Sequence, residues 1–404
     1  MEPDRRHDLQ QQRQEPSPEP DEELHAYDEA TDDEEFDYFD VESPLPSRTG
    51  FGSGSPAATT VTGKHVLVTT IDDGLLDVAK VLIHFGDPAL LHEQDARGRT
   101  PLFAAAEAGH ADVVEVLADR GVSLRAKDSR GRTPMLAATE NGHAAVVAAL
   151  ADLGAPVAAK HAVGKTLLFA AASCGHVAVV RVLLARGASV HARDAFGKTP
   201  LLCAVMGNHV PVVEALLDAG ASADARDAEG HSGLFYATHA TVVQLLLRRG
   251  AAADARDRTN ERTALFAAAE RGSTDIVQAL ADHGAAVNDR DKFGETALFQ
   301  AARFGRAGAA QVLIDRGAFV HAKNKAKRTA LSYAAEGGHE AVAQLLLARG
   351  ASVHSHDSRR RTPSFYAAEG GHDAVARVLA TRSQSLDGSD DGGKDASDPA
   401  CRVQ

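Results

Sequence analysis

Histidines are the residues of this 404-residue chain with the greatest capacity to bind a metal ion, and there are 19 of them. A metal site needs several ligands around one ion. Six of these histidines instead occupy equivalent turns that recur along the chain, so they lie apart: His110, His143, His176, His209, His339 and His372. We therefore predict no metal-ligating residues.

Two Gly-Lys-Thr segments, at residues 164–166 and 197–199, look like the end of a phosphate-binding loop. That loop also needs an earlier glycine, and the corresponding positions hold Ala159 and Ala192. The Ser-Gly run at 52–55 is not followed by a helix pattern, so it does not form the turn that exposes a hydrolase serine. The sequence thus predicts no catalytic residue, no cofactor and no enzyme.

A repeat of 33 residues accounts for both sets of motifs. The steps between successive copies are 33 residues, with one step of 31, and the copies open at Thr100, Thr133, Thr166, Thr199, Ser232, Thr263, Thr296, Thr329 and Thr362. A degenerate earlier copy begins at His65, so ten copies fill about residues 65–382. A fixed period of this length is typical of a solenoid, in which each unit packs on its neighbours.

The copy that opens at Thr100 reads as two short helices. Thr100 can cap the free N–H groups of a first helix, and Pro101 fits its first turn. Gly109 ends that helix, and apolar residues then return at helical spacing as far as Gly121. This pattern resembles the ankyrin repeat, with its Thr-Pro-Leu, Gly-His and valine/leucine segments. The resemblance implies an all-α solenoid of stacked helix-turn-helix units with projecting hairpin-like fingers.

Some copies depart from the family pattern. Phenylalanine replaces the family's histidine in six copies, and we expect these rings to lie in the core between stacked repeats: Phe103, Phe169, Phe235, Phe266, Phe299 and Phe365. The copy at Ser232 lacks three residues between its helices, so we expect irregular stacking near 237–242. Ser364 replaces a leucine and predicts a looser last repeat.

Charge divides the chain into four regions. Residues 1–50 hold 17 acidic and 4 basic groups and are predicted to be a disordered acidic leader. Residues 51–63 read as a flexible linker, 64–382 as the repeat array and 383–404 as a disordered acidic tail. Three cysteines fit a reduced compartment, and no signal peptide or membrane-spanning run is present. These features predict a cytoplasmic or nuclear protein, and we expect a monomer.

The leader contains aromatic residues among carboxylates, at Phe36, Tyr38 and Phe39. Acidic neighbours keep such rings in water, which suits a short motif that folds onto a partner. Three interpretations remain open for the leader: a solubilising tail, a recruitment motif, or a segment phosphorylated at Thr31 or Ser43.

In the family, partners contact the finger tips and the exposed ends of the inner helices, which form a concave strip. The resemblance places several large side chains of this chain there. Aromatic and arginine side chains contribute most to interface energy, so the candidate partner-binding residues are Phe196, Met206, Phe293, Phe304, Arg97, Arg130 and Arg359. The alternatives are that the apolar side chains fold onto neighbouring repeats and that the arginines are merely solvated.

The last two fingers are basic, at Lys323, Lys325, Lys327, Arg328, Arg360 and Arg361. We expect them to meet an acidic peptide, either from a partner or from residues 21–42 of the leader. Nucleic acid is not expected, because the array is close to neutral and aromatic stacking positions beside these fingers are few. The sequence thus predicts a non-enzymatic scaffold for an unidentified protein partner. The alternative is a transcriptional or signalling co-regulator that uses its leader for recruitment.

Overall fold

A computed structural model describes residues 65–387, which form ten pairs of α-helices and two short 3-10 helices, Pro88–His92 and Ala162–Gly164. The inner helices of repeats 1 to 10 are Val66–Asp72, Pro101–Ala108, Pro134–Glu140, Leu167–Ser173, Pro200–Met206, Gly233–Tyr236, Ala264–Arg271, Ala297–Arg303, Ala330–Glu336 and Pro363–Glu369. The outer helices are Leu76–Phe85, Ala111–Asp119, Ala144–Asp152, Val177–Ala185, Val210–Asp218, Ala240–Arg248, Thr274–Asp282, Ala307–Asp315, Glu340–Ala348 and Asp373–Asp387.

Each repeat packs on the repeats beside it, inner helix against inner helix and outer against outer. Within the described residues, β-structure is limited to two isolated bridges, at Lys160–Thr166 and Arg226–Ser232. The predicted all-α solenoid of ten units is therefore confirmed. The last helix continues to Asp387, five residues past the array boundary expected from the period.

Five of the eight recurring threonines cap a helix start as predicted, whereas Thr166, Thr263 and Thr296 make no such bond. In five repeats the hydroxyl oxygen accepts a hydrogen bond from the backbone N–H three residues later: Thr100, Thr133, Thr199, Thr329 and Thr362. Such a cap satisfies one of the N–H groups that a helix start leaves without a partner.

The Gly-His turns join neighbouring repeats. The His143 ring lies 3.0 Å from the carbonyl oxygen of Glu107, at the end of the previous inner helix. A side chain at Gly109 would bring its Cβ to 2.6 Å from that ring, so the turn needs glycine there. His176, His209, His339 and His372 make the same contact. The structural interpretation is confirmed for these five of the six turn histidines.

The core prediction for the six phenylalanines is correct for four. Phe103, Phe169, Phe266 and Phe299 are fully buried. Phe235 is half-buried, and Phe365 is 46% exposed, so that prediction was wrong for the last repeat. The buried rings of Phe103 and Phe299 contact Arg132 and Tyr333 of the following repeat, whereas repeat 10 is the last helix pair among the described residues.

Repeat 6 is irregular near 237–242, where the three missing residues between its helices predicted irregular stacking. Its inner helix has four residues, Gly233–Tyr236, and lacks the Gly-His turn. The guanidinium of Arg271, from repeat 7, donates to the carbonyl oxygens of Phe235 at 3.2 Å and Ala237 at 3.0 Å. An arginine thus replaces the missing turn in satisfying the carbonyls at the end of the helix.

Candidate functional site

The fingers are the turns that precede each inner helix, and we number each by the repeat that it precedes. A buried aspartate organises finger 5: the Asp194 carboxylate accepts the N–H of Phe196 at 3.0 Å and that of Lys198 at 2.8 Å. The same pair of bonds occurs at Asp95, Asp128, Asp227, Asp291 and Asp357. The carboxylate fixes the turn, so the residue at its tip can vary without a change of backbone.

Neighbouring fingers are also hydrogen-bonded at their tips. The carbonyl oxygen of Val163 accepts the N–H of Ala195 at 3.0 Å, and that of Phe196 accepts the N–H of Ala228 at 2.9 Å. Equivalent bonds join fingers 2 and 3, 6 and 7, 7 and 8, 8 and 9, and 9 and 10. These bonds hold the tip residues in register.

The tips of fingers 4 and 5 form an exposed apolar pair. Phe196 is 60% exposed and Val163 is 48% exposed. Val163 has φ 58° and ψ 21°, the left-handed region, which a β-branched side chain rarely adopts. Arg130 at tip 3 and Glu229 at tip 6 are exposed on either side. Phe196 was predicted as a site residue, whereas Val163 was not selected, because its strained backbone is not visible in the sequence.

The other predicted residues lie at other positions of the array. Arg97 and Arg359 are exposed at the tips of fingers 2 and 10. Phe304 is 41% exposed, but it ends the inner helix of repeat 8, three repeats beyond Phe196. Met206 and Phe293 are half-buried, and the Lys292 ammonium lies 4.9 Å from the centre of the Phe293 ring. These five residues therefore differ in exposure, and their grouping into one partner-binding surface stays a prediction.

The position directly before each helix-opening threonine or serine was not selected from the sequence. It holds a charged residue in every finger from 2 to 10 except finger 6, which has His231. At the N-terminal end these residues form an ion-pair network. Arg99 bonds to Asp72 at 2.7 Å and to Glu107 at 2.7 Å. Glu107 also pairs with Arg132 at 3.1 Å, which reaches Glu140 at 3.3 Å. Burial raises the pKa of Glu140, against the lowering influence of Arg132.

At the C-terminal end the same position forms a stack of arginines and tyrosines. The Arg328 guanidinium lies 3.9 Å from the centre of the Tyr333 ring and 4.2 Å from that of Tyr366. Arg361 lies 5.0 Å from the Tyr366 ring, and Arg303 lies 4.5 Å from the Tyr333 ring. Such cation–π contacts are favourable, most of all away from water.

The stack corrects one expectation about the basic fingers. Arg328 and Arg361 were grouped with the residues that meet a partner, but Arg328 also pairs with Glu336, and Arg361 bonds to Asp357 at 2.9 Å. Both guanidinium groups are therefore bound within the array. Tyr333 and Tyr366 are buried under the arginines, so they offer no stacking position to a base, and the expectation that such positions are few stays a prediction. Lys323, Lys325, Lys327 and Arg360 are exposed.

In finger 8 the residue directly before the helix-opening threonine is acidic, whereas most other fingers have a basic residue there. Glu295 is 1% exposed, and its carboxylate accepts hydrogen bonds from Tyr333 at 2.7 Å, Arg303 at 3.0 Å and Asn324 at 3.1 Å. Asn324 stands where most other fingers have aspartate. A second carboxylate there would repel Glu295, so the amide matches the reversed charge.

One group of side chains in finger 6 has metal-ligand chemistry. Asp227, Glu229 and His231 offer atoms within 4.8 Å of one another. One Asp227 oxygen accepts the N–H groups of Glu229 and His231, and the other accepts the Tyr236 hydroxyl. The His231 ring stacks on Phe235 at 4.0 Å. These contacts are those of the finger turn, so the cluster is explained by the fold.

Comparison with protein families agrees with this geometry. The family model for ankyrin repeats matches residues 65–161, 153–227, 234–324 and 319–390. The chain belongs to the ankyrin repeat family. The gap between the second and third matches falls beside the shortened helix of repeat 6. No curated protein matches the chain.

Ankyrin repeats are protein–protein interaction modules, and membership indicates that class of function for this array. The leader residues Phe36, Tyr38 and Phe39 lie outside the described residues. Among the helices of residues 65–387, none combines the length and the apolar character that a membrane span requires.

Proposed function

We propose that this ankyrin protein is a non-enzymatic scaffold that binds a protein partner through the tips of fingers 3 to 6. The observation that carries the proposal is the exposure of Val163 and Phe196 on adjacent fingers. An exposed aromatic ring beside an aliphatic side chain supplies the apolar centre of an interface, and Arg130 and Glu229 supply its polar edge.

Two features of the fingers support this proposal. The tips are held by the aspartate turns and by the bonds between fingers, so association does not have to order them. In addition, Val163 keeps a strained backbone at a tip where no core packing requires it. Strained residues cluster at functional sites because the surrounding structure must maintain them.

The experiment is a comparison of proteins captured from a cell extract by the full chain and by two single variants. Phe196→Ala removes the exposed ring at tip 5. Phe319→Ala is the matched control, because its ring is equally exposed but lies at the base of finger 9. We expect a partner that the wild type and the control retain and Phe196→Ala loses. A set of partners that is identical for all three proteins rejects the surface.

A second candidate function rests on the leader. Its carboxylates and aromatic residues suit a recruitment segment of a transcriptional or signalling co-regulator. Fusing residues 1–50 to a DNA-binding domain tests this role in a reporter assay, with Phe36, Tyr38 and Phe39 changed to alanine as the control. A silent reporter removes this candidate. We place the protein in the cytoplasm or nucleus and expect it to act as a monomer.

A further inference from the structure

Fingers 9 and 10 carry a basic surface distinct from the apolar pair at Val163 and Phe196. Its exposed members are Lys323, Lys325, Lys327, Arg359 and Arg360. The carboxylates closest in the chain are already engaged inside the array: Glu336 pairs with Arg328, and Asp357 bonds to Arg361 and to the Tyr366 hydroxyl. Among the described residues, the exposed charge of these two fingers is therefore positive.

Two of the basic side chains stand where the backbone favours glycine. Lys327 has φ 61° and Arg360 has φ 62°. The equivalent position is glycine in six other fingers, among them Gly294 with φ 78°. A side chain in this left-handed region is strained. Neither side chain is buried, so packing does not explain why a long basic residue replaces glycine at two successive tips.

An exposed aromatic ring adjoins the basic tips. Phe365 is 46% exposed at the last repeat, whereas the equivalent Phe299 is fully buried. The Arg361 guanidinium lies 6.0 Å from the centre of the Phe365 ring, and Arg361 follows Arg360 directly in the chain. The N–H of Ser358 bonds to the carbonyl oxygen of Ala326 at 2.9 Å, which holds finger 10 against finger 9. Apolar and basic groups thus adjoin at this end of the array.

We propose that fingers 9 and 10, together with Phe365, bind an acidic peptide that carries an aromatic side chain. Its carboxylates face Lys325, Lys327 and Arg360, and its ring packs on Phe365. A long polyanion fits less well, because the acidic residues Glu369 and Asp373 follow Phe365 in the chain of repeat 10 and would repel it. This site goes beyond the proposed function. It is independent of the surface at the tips of fingers 4 and 5, so either proposal can be rejected without the other.

The test measures the binding of a labelled 16-residue peptide to the full chain by fluorescence anisotropy. The peptide has the sequence of residues 29–44, EATDDEEFDYFDVESP, which combines carboxylates with aromatic rings. All variants are made in a chain in which Phe36, Tyr38 and Phe39 are alanine, so that its own copy of the motif does not compete. The same peptide with those three aromatics as alanine is the control probe.

Two variants and their matched controls separate binding from stability. We expect Phe365→Ala to weaken binding about tenfold, as for loss of an aromatic interface anchor. Its control is Phe85→Ala, an exposed ring at the opposite end of the array. We expect the double variant Lys327→Gly, Arg360→Gly to weaken binding by about tenfold or more while its melting temperature rises. Its control is Glu261→Gly, which relieves the same strain at φ 59° in finger 7 and leaves binding unchanged.

The outcomes decide between occupants. Tighter peptide binding in the triple-alanine chain than in the wild type supports the surface and identifies the chain's own motif as one occupant. Equal affinity of Phe365→Ala and Phe85→Ala overturns the proposal, and so does equal binding of the alanine control probe. A third outcome also overturns the proposal. In it, a single-stranded oligonucleotide binds the full chain more tightly than the peptide does and loses affinity in the double-glycine variant. The surface would then bind nucleic acid and not an acidic peptide.

Discussion

The backbone N–H of Phe196 donates a hydrogen bond of 3.0 Å to the carboxylate of Asp194. The carboxylate is buried and belongs to the turn, whereas the ring is 60% exposed and contributes little to the core. Equivalent aspartates build five other fingers, so the backbone is constant while the tips differ: Arg97, Arg130, Glu229, Phe293 and Arg359. Variation at these tips can change what the array binds without changing its fold.

Replacing Val163 by glycine should stabilise the protein locally. Glycine adopts φ 58° without strain, and we expect the free energy of local opening to rise by about 1 kcal/mol. The measurement is hydrogen exchange at the amide of Ala195, which bonds to the Val163 carbonyl. The opposite change of residue type in the next finger, Gly197→Val, should accelerate amide hydrogen exchange, because a Cβ there would lie 2.8 Å from the backbone nitrogen of Ala228. Faster exchange in Val163→Gly would contradict the strain.

Two aspartates at equivalent finger positions should titrate in opposite directions. Burial, joined by the neighbouring Glu295 carboxylate, raises the pKa of Asp291 above its ordinary value of 3.8, against Arg262. Burial also acts to raise the pKa of Asp357, but hydrogen bonds from Tyr366 and Arg361 outweigh it and lower the pKa. Carboxyl carbon NMR titration should therefore show Asp291 protonating at higher pH than Asp357. The same midpoint for both would contradict this assignment.

These shifts have opposite effects on stability. Folding raises the pKa of Asp291, so its contribution to stability is lost as pH rises from 3.8 through the raised pKa. Folding lowers the pKa of Asp357, so its contribution is lost as pH falls from 3.8 through the lowered pKa. Chemical unfolding of the wild type, Asp291→Asn and Asp357→Asn across this pH range measures how each aspartate changes the free energy of unfolding with pH. Equal slopes would show that neighbouring charges do not set the two pKa values.

Arg271→Ala should loosen the junction between repeats 6 and 7. The variant leaves the carbonyls of Phe235 and Ala237 without the guanidinium, and we expect a loss of about 2 kcal/mol. Hydrogen exchange across residues 233–243 measures the opening. Arg248→Ala is the control, because Arg248 is exposed in the neighbouring helix and its loss should cost less than about 0.5 kcal/mol. Equal effects of the two variants would show that Arg271 does not replace the missing turn.

The repeat period predicted the fold well, because a solenoid depends on contacts between equivalent positions of adjacent copies. It predicted the ten helix pairs, the histidine turns and the burial of Phe103. It was wrong for Phe365 for the same reason, since the burial of that ring requires a following repeat. The irregularity of repeat 6 was visible as a deletion, but the compensating Arg271 lies in the next copy and was not identified.

The functional surface was less predictable. Phe196 was selected from its residue type, but the equivalent position at Phe293 turned out half-buried. Repeat position alone does not determine how far a tip projects. The strained backbone of Val163 and the stacking of Arg328 between two tyrosines depend on contacts between fingers. A signal was nevertheless present, because tyrosine recurs four residues after the opening threonine or serine at Tyr236, Tyr333 and Tyr366.

We propose that the array binds a protein partner through the tips of fingers 3 to 6, with Val163 and Phe196 of fingers 4 and 5 at the centre of the interface. The most direct measurement is site-specific photo-crosslinking, with a photoreactive phenylalanine analogue placed at position 196 of the full chain and, separately, at position 319 as the control. We expect a crosslinked partner at position 196 that is absent at position 319 and disappears when Val163→Gly is added. A partner that crosslinks equally at both positions, or at position 319 alone, would contradict it.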